Sequence, residues 1–192
     1  MKKYLLSTLA VVGILACTTA VSAETLPGPY FVGEAGMGLG RKDNKESGIF
    51  GVGLGYHVND FMRADMTIGY RPWGKIDFDD DEADLWSVPV MFNAYAKYPI
   101  SRSFDIYGMG GLGLSYNKTK SITNASGKSR TEFAWTVGAG IDYYVNECWS
   151  VDLGYRYTDL GQARVSGKEG YTGQGKKDVR SNDIKLSLRY YF

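Results

Sequence analysis

The last ten residues, DIKLSLRYYF (183–192), decide the fold. Ile184, Leu186, Leu188, Tyr190 and Phe192 fall on one side of an extended chain; Asp183, Lys185, Ser187, Arg189 and Tyr191 fall on the other. Strand side chains point alternately to opposite faces, so this segment has one apolar and one polar side. WSVDLGYRYT (149–158) repeats the pattern, with Trp149, Val151, Leu153, Tyr155 and Tyr157 against Ser150, Asp152, Gly154, Arg156 and Thr158. FAWTVGAGIDYYV (133–145) does so again, with Phe133, Trp135, Val137, Ala139, Ile141 and Tyr143 on its apolar side. Working backwards, the alternation predicts strands at about 103–116, 84–98, 61–73, 48–58 and 29–40, which makes eight.

The connections alternate in length. Asn59-Asp60, the stretch from Pro99 to Arg102, and Asn146-Glu147 read as tight turns. Between them lie longer polar segments at about 41–47, 74–83, 117–129 and 161–179. Short turns on one side and long loops on the other are the layout of an all-β, eight-stranded antiparallel up-and-down transmembrane β-barrel.

The beginning of the chain agrees with export. Lys2 and Lys3, the apolar run Tyr4–Cys17 and the small residues Val21-Ser22-Ala23 compose a secretory signal peptide, residues 1–23, followed by a barrel domain over 24–192. Ile14-Leu15-Ala16-Cys17 offers a rival cut, a lipobox after which Cys17 would carry lipid. Cleavage after Ala23 would leave Cys148 as a lone thiol with no intramolecular disulfide. It would also leave 20 basic against 21 acidic residues, since Lys2 and Lys3 are two of the chain's 22 cations. No basic excess points to nucleic acid. No later run approaches the ~20 apolar residues of a spanning helix.

A soluble sandwich or lipocalin-like barrel would place the apolar faces inside. Two features count against it. The polar faces carry Gly36, Gly38, Gly51, Gly53, Gly55, Gly69, Gly111, Gly113, Gly138, Gly140 and Gly154, which suit the crowded interior of a narrow barrel. Aromatic residues gather near strand ends, among them Phe31, Tyr70, Trp73, Trp86, Tyr116, Trp135, Trp149, Tyr190 and Phe192, like the girdles at two membrane interfaces.

The segment Tyr155-Arg156-Tyr157-Thr158-Asp159-Leu160-Gly161 and the terminal strand ending in Phe192 resemble the OmpA-like and opacity-protein-like eight-stranded barrels of Gram-negative outer membranes, often called the porin family. The resemblance covers nearly all of 24–192. It implies an outer-membrane location and contact with outer-membrane lipid and lipopolysaccharide. It also implies an assembly signal in Ile184, Leu186, Leu188, Tyr190 and Phe192, read by the barrel-insertion machinery. The larger OmpA proteins carry a peptidoglycan-binding domain after the barrel; that role does not transfer to this chain.

Several motifs resemble chemical sites. Gly108-Met109-Gly110-Gly111-Leu112-Gly113 matches the dinucleotide fingerprint G-x-G-x-x-G, but a chain with 25 glycines matches it by accident, and a predicted strand continues through it where the fingerprint needs a helix. His57, the one histidine, falls beside a tight turn away from the long loops and without a serine motif, so a structural role is expected and no catalysis. The acidic run Asp77–Asp84 is similar to a calcium loop, yet Glu82 and Val88 occupy the positions of the turn glycine and the closing ligand. It reads as a solvated loop tip, with no metal and no cofactor expected. Lys118, Lys120, Lys128 and Arg130, with Arg164, Lys168, Lys176, Lys177 and Arg180, are loop cations for lipopolysaccharide phosphates or a host surface ligand such as sulfated sugars. Asn117-Lys118-Thr119 and Asn124-Ala125-Ser126 match glycosylation sequons that bacterial export makes meaningless.

The polar faces hold Glu34, Asp65, Asp105, Asp142, Asp152 and Asp183 against Arg63, Arg71, Lys97, Arg156, Lys185 and Arg189. Six acids and six bases would face a lumen only wide enough for side chains, where matched charges form a satisfied network. Arg156 and Asp152 share parity and are expected in one paired set. The reading is a non-enzymatic surface protein that stabilises the envelope and presents four loops for adhesion or host contact; a small-solute porin is the alternative.

Overall fold

The structure, a computed structural model, describes residues 28–40, 46–78, 81–121, 129–165 and 175–192. The leader with Cys17 and Ala23, the loop residues Asp79, Asp80 and Lys168, and the Asn124 sequon with Lys128 lie outside them. Eight strands follow one another: β1 (Gly28–Gly40), β2 (Glu46–Asn59), β3 (Met62–Phe78), β4 (Asp81–Pro99), β5 (Phe104–Ser121), β6 (Ser129–Tyr144), β7 (Trp149–Val165) and β8 (Gly175–Tyr191). Each pairs antiparallel with the next, and β1 closes on β8 from Tyr30↔Tyr191 to Gly40↔Ser181. Closure matters because a backbone N–H left unpaired in a lipid environment has no water to bond.

The wall inverts the usual distribution of a water-soluble protein. Val52, Met66, Phe92, Leu112, Leu153 and Leu186 are exposed on the outside, while Arg63, Asp142, Asp152 and Arg189 are buried within. Period-two alternation produces this directly, because an outward residue is followed by an inward one along each strand. In the glycine-rich stretch of β5, Gly108 and Gly110 face outward with open space around them, and Gly111 and Gly113 press inward against β4. The dinucleotide match is strand throughout.

Two expectations need correction. The stretches 74–83, 117–129 and 161–179, read as loops, are strand wherever they are described: β3 and β4 pair out to Phe78↔Asp81, β4 and β5 to Ala83↔Ser121, and β7 and β8 to Val165↔Gly175. Alternation survives there only in short pieces, Ile76 and Phe78 on β3 and Ala163 and Val165 on β7, and is absent from Lys118-Thr119-Lys120-Ser121, while backbone pairing continues. Trp73, counted among the girdle aromatics, is buried in the interior.

The extensions divide the mouth of the barrel. Pairing of β2 with β3 ends at Phe50↔Tyr70, and that of β6 with β7 at Trp135↔Asp159. Strands β3 to β6 stay joined above those points, as do β7 and β8. A register shift between Asp159 and Gln162 contains Gly161 at φ 77°, a left-handed conformation that a side chain would strain. A Cβ there would also lie 2.5 Å from Cβ of Glu132.

Candidate functional site

The interior is built in layers. At the end with the tight turns, Tyr30, Val32, Tyr144 and Tyr191 form a buried cluster. His57 lies beside it, fully buried, with Lys97 donating to its Nε2 at 3.1 Å, because an ammonium has only donors. The same Lys97 Nζ lies 3.1 Å from Asp105, which accepts the Tyr144 hydroxyl at 3.0 Å.

The next layer crosses the barrel. Arg63 donates to Asp142 at 2.6 Å, and Arg189 bridges Asp142 at 3.1 Å to Asp152. The Tyr107 hydroxyl donates to Asp152 at 2.8 Å and lies over Gly140 and Gly154, where a Cβ would collide with it. The Arg63 guanidinium sits 4.4 Å from the Tyr95 ring centre. Glu34 takes Arg156 at 3.0 Å on one oxygen and Lys185 at 2.7 Å on the other. Higher up, Arg71 holds Asp183 through both terminal nitrogens, and Thr158 and Ser181 donate to that carboxylate at 2.7 and 2.8 Å.

All twelve charged positions named from the sequence therefore lie inside the barrel, but not as a simple set of pairs. Arg156 and Asp152 do not pair directly: Arg156 binds Glu34, and Asp152 binds Arg189. Asp65 takes part in no ion pair among the described residues. It accepts from the Tyr30 hydroxyl at 3.1 Å and from Asn93 at 2.8 Å, two neutral donors.

An apolar layer closes the other end, and its signal in the sequence is faint. Trp73, Leu85, Met91, Ala134, Leu160 and Val179 form one buried cluster. The Trp73 indole donates to Ser87 at 3.1 Å, which satisfies its N–H in the interior. Between this cap and the ionic layers is a cavity of about 30 Å³ lined in part by Thr67, Asn93, Thr136 and Thr158. That is room for about two waters.

Outside, the terminal-strand residues Ile184, Leu186, Leu188 and Phe192 face outward, as does the half-buried Tyr190. Phe192 packs at 5.3 Å on Phe31, and Tyr190 at 4.9 Å on Trp149, in the lower aromatic belt. The acidic run lies on the β3–β4 hairpin, where Asp77 pairs in register with Glu82. Of the loop cations, Arg130 pairs with Glu132, and Arg180 with Asp159 at 2.8 Å and Asp178 at 3.6 Å. Lys118 lies over the Trp86 ring.

A closed eight-stranded barrel with charges inside and an apolar wall outside has a counterpart among known proteins: the family described as outer membrane protein beta-barrel domain matches residues 7–192. The chain belongs to that family. This outer-membrane barrel is 30% identical over 103 residues to the 31 kDa outer-membrane immunogenic protein of Brucella melitensis, a match covering 50% of this chain and 41% of that one. The chain thus spans less than half the length of that relative. Neisserial surface protein A has the same fold at TM-score 0.63 and 19% identity, over 86% of this chain and 97% of that one. So does Ail, the attachment invasion locus protein of Yersinia pestis, whose structure in complex with the heparin analogue sucrose octasulfate aligns at TM-score 0.55 and 18% identity, over 87% of this chain and 100% of that one. Likeness at that identity establishes architecture alone. The barrel resides in the outer membrane of a Gram-negative bacterium.

Proposed function

We propose that this outer-membrane barrel is a non-enzymatic surface protein that braces the envelope and offers its extracellular strand ends and loops for adhesion. The observation that carries the reading is the filled interior: crossed ion pairs in the middle and an apolar cap of Trp73, Leu85, Leu160 and Val179 above them. With the lumen occupied, the split mouth is the part left to meet a partner. Surface loops on a rigid scaffold are where such barrels vary and bind. His57 supports the non-enzymatic part, since it is fully buried at the turn end beside Lys97 and Tyr191. Ail's complex with a heparin analogue makes sulfated polysaccharide the first ligand to try. Bacteria displaying the protein are expected to adhere to a sulfated-polysaccharide surface more than bacteria lacking it; equal adhesion on sulfated and desulfated surfaces contradicts that ligand.

The small-solute channel is kept as a second reading because the cavity of about 30 Å³ lies between the cap and the ionic layers. In the favoured reading it holds trapped water.

The terminal strand serves assembly in the same proposal. Phe192→Ser is expected to leave export intact and to reduce the heat-modifiable, membrane-inserted form. Normal insertion of that variant removes the role assigned to the terminal aromatic.

A further inference from the structure

The small cavity under the apolar cap has a one-sided lining. Arg71, Arg156 and Lys185 all line it, and no carboxylate does among the described residues. The side chains of Arg71 and Arg156 are each 3% exposed. Two acids answer these three cations: Asp183 is paired with Arg71, and Glu34 is shared by Arg156 and Lys185. The layers toward the tight turns lean the other way, with Arg63, Lys97 and Arg189 against Asp105, Asp142, Asp152 and the Tyr30-bound Asp65. The lumen balances over its whole length and keeps a cationic excess at the cavity.

The hydrogen bonds have the same bias. Arg71 gives its two terminal nitrogens to Asp183 and Ser181, and Arg156 gives one to Glu34 and one to the Tyr95 hydroxyl. Nε of each is a buried donor without a partner among the described residues. Lys185 has three N–H donors and bonds Glu34 with one of them. On the acceptor side Asn93 Oδ1 is left over, because the amide nitrogen is turned to Asp65 and Thr67. Arg63 and Arg189 also keep unpartnered N–H groups, but neither lines the cavity.

Close packing holds two of these cations where they are. Gly138 pairs in register with Arg156, and Gly36 with Lys185. A Cβ at Gly138 would lie 2.8 Å from Cγ of Arg156, and one at Gly36 would lie 3.0 Å from Cγ of Lys185. Both stems therefore lie against glycine, and neither can swing back over it once a side chain is there. The cavity of about 30 Å³ has room for about two waters, or for one chloride-sized ion and one water, but not for sulfate or phosphate. Water can satisfy the spare N–H groups. Only an opposite charge answers an excess charge in a dry interior.

We infer that the cavity binds one small monovalent anion of the chloride class among Arg71, Arg156 and Lys185, in place of one of its two waters. The second water remains for Asn93 Oδ1. The ion supplies the negative charge that this level of the lumen lacks and is part of the filled interior. It lies beneath the cap and is independent of whatever the mouth binds.

The test uses crystals of the refolded full chain grown in sodium bromide, with diffraction measured at the bromine absorption edge. An anomalous peak is expected in the cavity, within hydrogen-bond reach of Arg71, Arg156 or Lys185. A cavity without a peak, or peaks on the outer surface alone (an adventitious ion only), would overturn the inference. Urea unfolding in lipid vesicles gives the solution measurement, with chloride replaced stepwise by gluconate, an anion too large for the cavity, at constant ionic strength. A ligand that binds only the folded chain stabilises it, so the parent's urea midpoint should fall as chloride is withdrawn and level off when chloride is abundant. Lys185→Gln is expected to need about tenfold more chloride for the same gain, the effect of about one charged hydrogen bond. Lys97→Gln, in the layer by the turns, should keep the parent's chloride dependence. Heat-modifiable mobility checks that each variant is folded, and the bromide peak in the parent decides the matter if a variant is not. No chloride dependence in the parent, or the same dependence in the parent and Lys185→Gln, would each overturn the inference.

Discussion

Arg189 and Arg180 occupy the same strand, β8, and each touches two carboxylates. Arg189 is wholly inside, bridging Asp142 and Asp152 with its side chain 0% exposed. Arg180 sits on the outer wall near the mouth, 44% exposed, beside Asp159 and Asp178. Parity and height along the strand separate the two. Within the lumen an ion pair replaces the hydration of both charges, so losing one partner strands the other. At the rim, water and salt screen the interaction, and water hydrates whatever is left. Equal bonding on paper therefore means unequal weight: the interior pairs define the barrel, and the rim pairs add little to its stability.

The largest effect belongs to Arg189→Leu. It leaves Asp152 with the Tyr107 hydroxyl and Asp142 with Arg63 alone. Urea unfolding in lipid vesicles should show a loss of about 3–5 kcal/mol. A change no larger than that of a rim substitution would mean the lumen is wet. Next comes Leu153→Arg, which puts a charge on the lipid face and is expected to cost about 2–4 kcal/mol near the midplane in the same assay. If it unfolds like the parent, the inside–outside assignment fails.

Arg156→Leu sharpens the comparison, because its carboxylate partner Glu34 keeps Lys185 at 2.7 Å. The expected loss is about 1–3 kcal/mol, smaller than for Arg189, since the acid retains one charged donor. Equal losses for the two variants would show that the pairs act as one network. Smallest is Arg180→Gln, for which the urea midpoint should not move, at low or high salt. A salt-dependent drop there would bring the rim pair into the structural account.

Much of the barrel was legible because lipid outside and a narrow lumen inside impose strict alternation. Leu153 and Asp152 on β7, or Leu186 and Lys185 on β8, reveal their faces by residue type alone. The partners were not legible. Arg63 meets Asp142 and Arg71 meets Asp183 across the barrel, at sequence separations of 79 and 112, which no local pattern encodes. Trp73 and Leu160 were hidden for the opposite reason. An apolar residue at an inward position reads as an exception to the polar face, and the bulges after Pro72 and Asp159 blur parity beside them. The strand extensions escaped because alternation survives in them only in pieces of two apolar residues, Ile76 and Phe78 or Ala163 and Val165, although backbone pairing continues to Phe78↔Asp81 and Val165↔Gly175.

The sealed interior is the central claim, and planar-bilayer conductance of the refolded full chain tests it most directly. The cap of Trp73, Leu85, Leu160 and Val179 above crossed ion pairs predicts a silent membrane at moderate voltage. Steady, reproducible single-channel steps would contradict the seal and establish the barrel as a pore.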